Sequence, residues 1–187
     1  MKPVYFVGPH GAGKTSLARW VSKTYNIVML GEVARTELAR RESSLDRMRL
    51  DVDEISDYQR AVFMAQIEIE ERTTLPYVSD RSFDNVAYLA AHGLGLADLL
   101  ASVDMDRYLA RVRSGVVFFV RPHGSTVRAD EARPQEDTDT AGQHQIDGAV
   151  RTLLELWRIP YVPIPAASPK DRQLIIGSIL DRDGFKK

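Results

Sequence analysis

The sequence predicts a doubly wound α/β domain: a five-stranded parallel sheet with helices on both faces. Two observations carry that expectation. Five short apolar runs, each of strand length, alternate with stretches of helical periodicity along the 187 residues. Strand–helix–strand units of this kind close with right-handed crossovers, which distribute the helices over both faces of one sheet. No internal repeat or linker divides the chain, so one domain over residues 1–187 is expected, with segment 121–139 as a lid within it.

Taken in order, residues 3–7 (Pro-Val-Tyr-Phe-Val) form the first strand, and helical spacing follows from Lys14 to about Tyr25. Ile27–Leu30 reads as a second buried strand closing at Gly31, with a helix from Glu32 to about Arg41. Residues 43–53 lack a clean period and read as a surface loop. From Asp53 to Thr73 the apolar stripe Ile55, Tyr58, Val62, Ala65 and Ile69 marks a long helix, with Asp53 or Ser56 to cap it. Pro76–Asp80 is the third strand, and helical patterns fill 82–92, 95–102 and 104–114. Val116–Val120 is the clearest buried strand of all. The polar segment 121–139 reads as a mobile loop. A helix from about Thr140 to Trp157, a last strand over 159–164 and a helix from Pro169 to about Leu180 complete the chain.

Composition excludes several classes. With 44% hydrophobic and 27% charged residues the chain reads as a soluble globular protein. It has no cysteine, which rules out disulfides and thiolate metal sites and fits a reducing cytoplasm. No apolar run approaches the ~20 residues of a membrane span, and the N-terminus shows no apolar signal core. A formal net charge of −1 gives no global basic field of the kind many DNA-binding domains carry.

The run Gly8-Pro9-His10-Gly11-Ala12-Gly13-Lys14-Thr15 fills every fixed position of the phosphate-binding loop pattern. A strand precedes it and a helix follows, which is the context that motif requires. Glycines let backbone N–H groups converge on phosphate oxygens, and the helix adds the positive end of its dipole. Gly8, His10, Gly11, Ala12, Gly13, Lys14, Thr15 and Ser16 are therefore the expected nucleotide contacts, with His10 a spacer rather than a catalyst. Lys14 is placed for the β- and γ-phosphates of ATP and the Thr15 hydroxyl for Mg²⁺.

Ligands of such a sheet sit beyond the carboxyl ends of the strands, where further chemistry gathers. Asp80, ending the third strand, suits a role with Thr15 in holding Mg²⁺, or alternatively caps the helix that follows. Arg81 puts a planar, permanently charged donor beside phosphate, or pairs with a neighbouring carboxylate. Glu32, just past the second strand, is the best general base for a hydroxyl acceptor; a first-turn helix charge is the plainer reading. Arg35 and Asp84, each close behind one of these acids, are expected near the acceptor. Gln59, Phe63 and Gln66 share one helix face and suit stacking on, and hydrogen bonding to, a base, with Gln66 the acceptor contact; ordinary core and surface roles are the alternative. In 121–139, Arg121, Arg128 and Arg133 are lid candidates: Arg128 for the nucleotide, Arg133 for transition-state charge. The acids Asp130, Glu131, Glu136 and Asp137 in that segment argue for solvated arginines instead.

With these motifs in place, the chain resembles small P-loop kinases of the nucleoside and nucleotide kinase superfamily, in particular nicotinamide-riboside-kinase-like and phage-type members. Besides Gly8–Thr15, Gly31-Glu32-Val33-Ala34-Arg35 resembles the glutamate-then-arginine segment after their second strand. Asp80-Arg81-Ser82 resembles the acid-Arg-Ser segment of deoxynucleoside kinases, and Asp130–Pro134 the riboside-kinase lid, with Glu131 where glycine is common. The resemblance implies ATP- and Mg²⁺-dependent phosphoryl transfer. A base at Glu32 inclines the acceptor toward a neutral hydroxyl, because a phosphate acceptor is already ionised. Similarity to phage kinases of 5-hydroxymethyluracil in DNA puts that hydroxymethyl group first, with Arg47 and Arg49 on the DNA backbone and the host cytoplasm as location. A free nucleoside or deoxynucleoside monophosphate is the alternative.

Other classes using the same loop fit less well. After the fourth strand, Arg121-Pro122-His123-Gly124 offers no guanine reader of the Asn/Thr-Lys-x-Asp type, as a GTPase requires. AAA-type motors usually end a strand in paired acids, whereas Val78-Ser79-Asp80-Arg81 has one acid and then arginine. A non-catalytic nucleotide-binding module is opposed by Lys14, Thr15 and Asp80 occurring together.

Overall fold

A computed structural model of the chain describes residues 2–31, 36, 52–122, 140–165 and 168–186. Five strands, β1 (Val4–Val7), β2 (Val28–Leu30), β3 (Tyr77–Ser79), β4 (Val116–Val120) and β5 (Val162–Ile164), form one sheet in the order β2-β3-β1-β4-β5. Every pairing is parallel, with Val4 opposite Val78 and Val116, and Val120 opposite Ile164. The helices are α1 (Lys14–Tyr25), α2 (Val52–Arg72), α3 (Asp84–His92), α4 (Leu96–Ala101), α5 (Met105–Ser114), α6 (Thr140–Leu156) and α7 (Pro169–Arg182). None is long and apolar enough to cross a membrane. The fold is the doubly wound α/β class that the alternation predicts.

Strand side chains alternate between two cores, as a period of two demands. Val4 and Phe6 of β1, with Val116, Phe118 and Val120 of β4, meet Leu17 and Val21 of α1 and Ile176 and Leu180 of α7. Tyr5 and Val7, with Val117 and Phe119, face α2, α3, α5 and α6 through Val62, Val86, Val112 and Val150. Both faces of β1 and β4 are buried, so those strands read as continuous apolar runs. At one margin of the sheet lies β5, whose middle residue, Pro163, is exposed.

Two sequence expectations need correction. The last strand begins at Val162 rather than residue 159, because α6 closes with Arg158 in a left-handed conformation (φ 49°). That turn sends the Ile159 N–H back to the Leu154 carbonyl at 2.9 Å, ending helix rather than starting strand. The second half of α2 also departs from its apolar stripe: Gln66 and Glu70 are buried, and Ala65 and Ile69 only partly so. Gln66 Nε2 donates to Glu70 Oε1 (2.7 Å) and Ser79 Oγ (3.0 Å), and the Tyr5 and Tyr77 hydroxyls donate to Glu70 Oε2 (2.8 and 3.3 Å).

Burial holds the Glu70 carboxyl above its ordinary value; bonds from Gln66 and Tyr5, the Arg111 charge and Tyr77 oppose that only in part. A carboxyl raised in the folded state costs stability above that raised value, and the cost is relieved as pH falls through it. Glu70→Gln is therefore expected to raise the thermal unfolding midpoint at about pH 8, by about 2–4 °C per kcal/mol relieved, with the advantage shrinking toward about pH 5. A shift independent of pH would assign the effect to packing instead of charge.

Candidate functional site

β1 runs directly into the glycine loop, and the loop is seated against the end of β4. Gly8 has φ 142°, and a Cβ there would lie 2.2 Å from the Val120 carbonyl oxygen, so only glycine fits. Gly13, with φ 96°, caps α1 without a side-chain bond, and the first turn of α1 carries no acid. The first amides of that helix are therefore open to an external anion, as its dipole favours.

The loop is held from behind. Lys14 Nζ donates to the Gly8 and Pro9 carbonyls at 2.5 and 3.0 Å, and Gln143 Nε2 of α6 to the His10 carbonyl at 3.2 Å. Asp84 Oδ1 accepts from the Gly8 N–H (3.1 Å), and its Oδ2 accepts from the Ser82 N–H (2.9 Å). The same carboxylate lies 3.5 Å from Lys14 Nζ. Burial pulls the Lys14 ammonium below the usual lysine value; Asp84 and Asp80 oppose the shift and Arg81 adds to it. Phosphate oxygens brought to this cation would restore its preference for the charged form.

His10, Gly11, Gly13, Lys14, Thr15, Ser16, Asp80 and Arg81 line one cleft above the loop. The Thr15 hydroxyl donates to Asp80 Oδ2 at 2.6 Å, setting two hard oxygen atoms side by side in it. Among the described residues no group of three or more His, Asp or Glu forms an all-protein metal site. One hydroxyl and one carboxylate suit Mg²⁺, which keeps waters and takes its remaining ligands from substrate phosphates.

The structure thus gathers Lys14, Thr15, Asp80 and Arg81 from two strand ends. It reassigns other expected contacts. Gly8 spends its N–H on Asp84 and its carbonyl on Lys14, and Ala12 is buried, so both support the loop from behind. Asp84, expected near the acceptor, is a tether between the loop and β3. Gln66, 1% exposed, is committed to Glu70 and Ser79 and presents no surface to an acceptor. Phe63 is wholly buried against Tyr108, and Gln59 accepts from Asn85 Nδ2. Arg121 is clamped to Asp147 of α6 by two bonds, from Nε at 2.9 Å and Nη2 at 2.5 Å. Glu32, Arg35, Arg47, Arg49, Arg128 and Arg133 lie outside the described residues, as does 123–139 of the expected lid. Gln143, Asp147 and Arg172 escaped the sequence reading; each sits on a helix more than a hundred residues from the loop, with no local motif to mark it.

A family model described as an AAA domain matches residues 3–172, and the chain belongs to that family. Its third strand is nevertheless followed by the single acid Asp80. None of the curated proteins matches the sequence. Among solved structures, one of deoxyadenosine kinase from M. mycoides, with products dCMP and a flexible dCDP bound, is similar at 13% identity and TM-score 0.68. That match covers 98% of this chain and 100% of the other. The NadR protein in complex with NR is similar at 16% identity and TM-score 0.72, over 100% of this chain but 52% of its own. Shikimate kinase from Acinetobacter baumannii, in complex with shikimate, gives 15% identity and TM-score 0.58 over 100% and 96% of the two chains. The architecture is the P-loop kinase fold.

Proposed function

We propose that the chain transfers the γ-phosphoryl group of ATP to a hydroxyl of a nucleotide-type acceptor. The observation that carries this reading is the meeting of Lys14, Thr15, Asp80 and Arg81 in one cleft at the open N-terminus of α1. The triphosphate lies on the loop amides with Lys14 as its cation, and Arg81 faces the transferring group from the end of β3. Thr15 and Asp80 would hold Mg²⁺ if it binds here, and it would supply positive charge against the phosphates. The acceptor oxygen bonds to the γ-phosphorus as the bond to the β-γ bridging oxygen breaks, and ADP leaves with that electron pair. Glu32 takes the acceptor's proton, with Arg35 holding the acceptor and Arg128 and Arg133 adding charge over the phosphates.

Two acceptors compete. The resemblance to phage-type kinases puts the 5-hydroxymethyl group of 5-hydroxymethyluracil in phage DNA first, as a step of DNA modification. Structures of the same fold holding dCMP with dCDP, or NR, favour a free nucleoside or nucleoside monophosphate. The deciding experiment offers ATP labelled at the γ-phosphate to nucleosides, nucleotides, and DNAs with and without hydroxymethylated pyrimidines, with and without a metal chelator. Label is expected on one acceptor class and to vanish on chelation. Transfer to DNA would fall steeply with added salt, as released counterions require, whereas transfer to a small nucleoside would not. No transfer to any member of the panel, with ATP bound, would return the chain to the non-catalytic class.

A further inference from the structure

We infer that Arg172 of α7 is a positioning residue of the phosphate site, aiming the Gly13 amide into the cleft and backing it with charge. The inference rests on the reading of the loop as a polyphosphate site. Arg172 is 6% exposed, and its Nη1 donates to the Ala12 carbonyl at 2.6 Å. Its Nη2 donates to the Arg121 carbonyl at 3.3 Å, just past the end of β4. The guanidinium therefore joins the phosphate loop to the sheet.

The geometry of the peptide unit gives that bond a consequence in the cleft. The Ala12–Gly13 peptide is trans and planar, so its C=O and N–H point in opposite directions. With the Ala12 carbonyl drawn back onto Arg172, the Gly13 N–H is turned the other way, to the side where Gly13 lines the cleft. Gln143 does the same for the His10–Gly11 peptide, two peptide units earlier, by holding the His10 carbonyl, which turns the Gly11 N–H. A neutral amide suffices for that second contact; the first uses a permanent cation.

The charge itself is out of place in a purely structural role. A buried cation is costly unless an anion compensates it. Among the described residues Arg172 has no carboxylate partner, only two backbone carbonyls, and its Nε has no hydrogen-bond partner at all. Burial accordingly lowers the pKa of this guanidinium, with no opposing charge. An anion on the far face of the Ala12–Gly13 peptide supplies the missing complement. Arginine suits the position because separate nitrogens of its planar fork reach the loop and the end of β4, two segments that a single ammonium nitrogen would have to bridge from one point.

The test titrates inorganic pyrophosphate into ¹⁵N-labelled protein, following the Gly13 amide and the Arg172 Nε–H resonances. In wild type both are expected to shift on binding. Arg172→Gln is expected to weaken pyrophosphate binding about tenfold or more and to abolish the Gly13 response, with Arg172→Lys recovering only part of each. A purely structural arginine would lower the unfolding midpoint and leave the Gly13 response of the remaining folded protein intact, which would overturn the inference. Equal binding by wild type and Arg172→Gln would also overturn it. If Arg172→Gln does not fold, the wild-type Nε–H decides: a resonance unmoved by saturating pyrophosphate overturns the assignment. Absence of pyrophosphate binding to wild type would instead reject the phosphate site itself.

Discussion

Lys14→Ala is expected to lower turnover by a factor on the order of 10³ or more while the chain stays folded. The side chain is 10% exposed, and its ammonium is the cation enclosed by the loop, donating to the Gly8 and Pro9 carbonyls. Those bonds hold the resting loop. In a loose phosphoryl-transfer transition state, negative charge builds on the oxygens that this cation faces, so its removal is felt there more than in the ground state. The expected pattern is a large fall in single-turnover rate with a smaller change in ATP affinity. Circular dichroism establishes that the variant is folded, and near-normal transfer by folded Lys14→Ala would remove the loop from the chemistry.

Asp84→Ala is expected to be the most destabilising single change near the site, at about 3–5 kcal/mol. Its carboxylate is 7% exposed and accepts from two backbone amides, Gly8 and Ser82, beside the buried Lys14 ammonium. Alanine leaves two donors and one cation without their acceptor at once. Asp84→Asn keeps an acceptor oxygen and the shape but not the charge, so a smaller loss is expected. Urea unfolding of the three proteins measures both steps; a loss below about 1 kcal/mol for alanine would mean that water replaces the carboxylate.

The parts of this architecture governed by local rules were legible in the sequence. Val116–Val120 announces a strand buried on both faces, and the glycine spacing from Gly8 to Gly13 announces the loop between β1 and α1. Lys14, Thr15, Asp80 and Arg81 can be singled out from the sequence because each adjoins a strand end or the motif itself. The buried pair of Gln66 and Glu70 is not announced, because a stripe of apolar residues is blind to polar groups that find buried partners. Their stabilising contacts, Ser79, Tyr77 and Tyr5, lie up to 65 residues away, and no periodicity brings them into view. Asp84, expected near the acceptor, instead bonds the Gly8 amide, 76 residues earlier, a contact that no local pattern announces. Arg172 and Gln143 are legible only once α6 and α7 have been packed against the loop.

Pro163 has a consequence at a larger scale than the site. It is the exposed middle residue of β5, a three-residue strand that pairs with β4 on one side. Proline carries no amide hydrogen, and three residues give little length to copy, so the flank of β5 that is unpaired among the described residues is a poor template for another polypeptide. Colloidal self-association by strand addition is blunted at this flank of a sheet whose inner strands are almost wholly apolar.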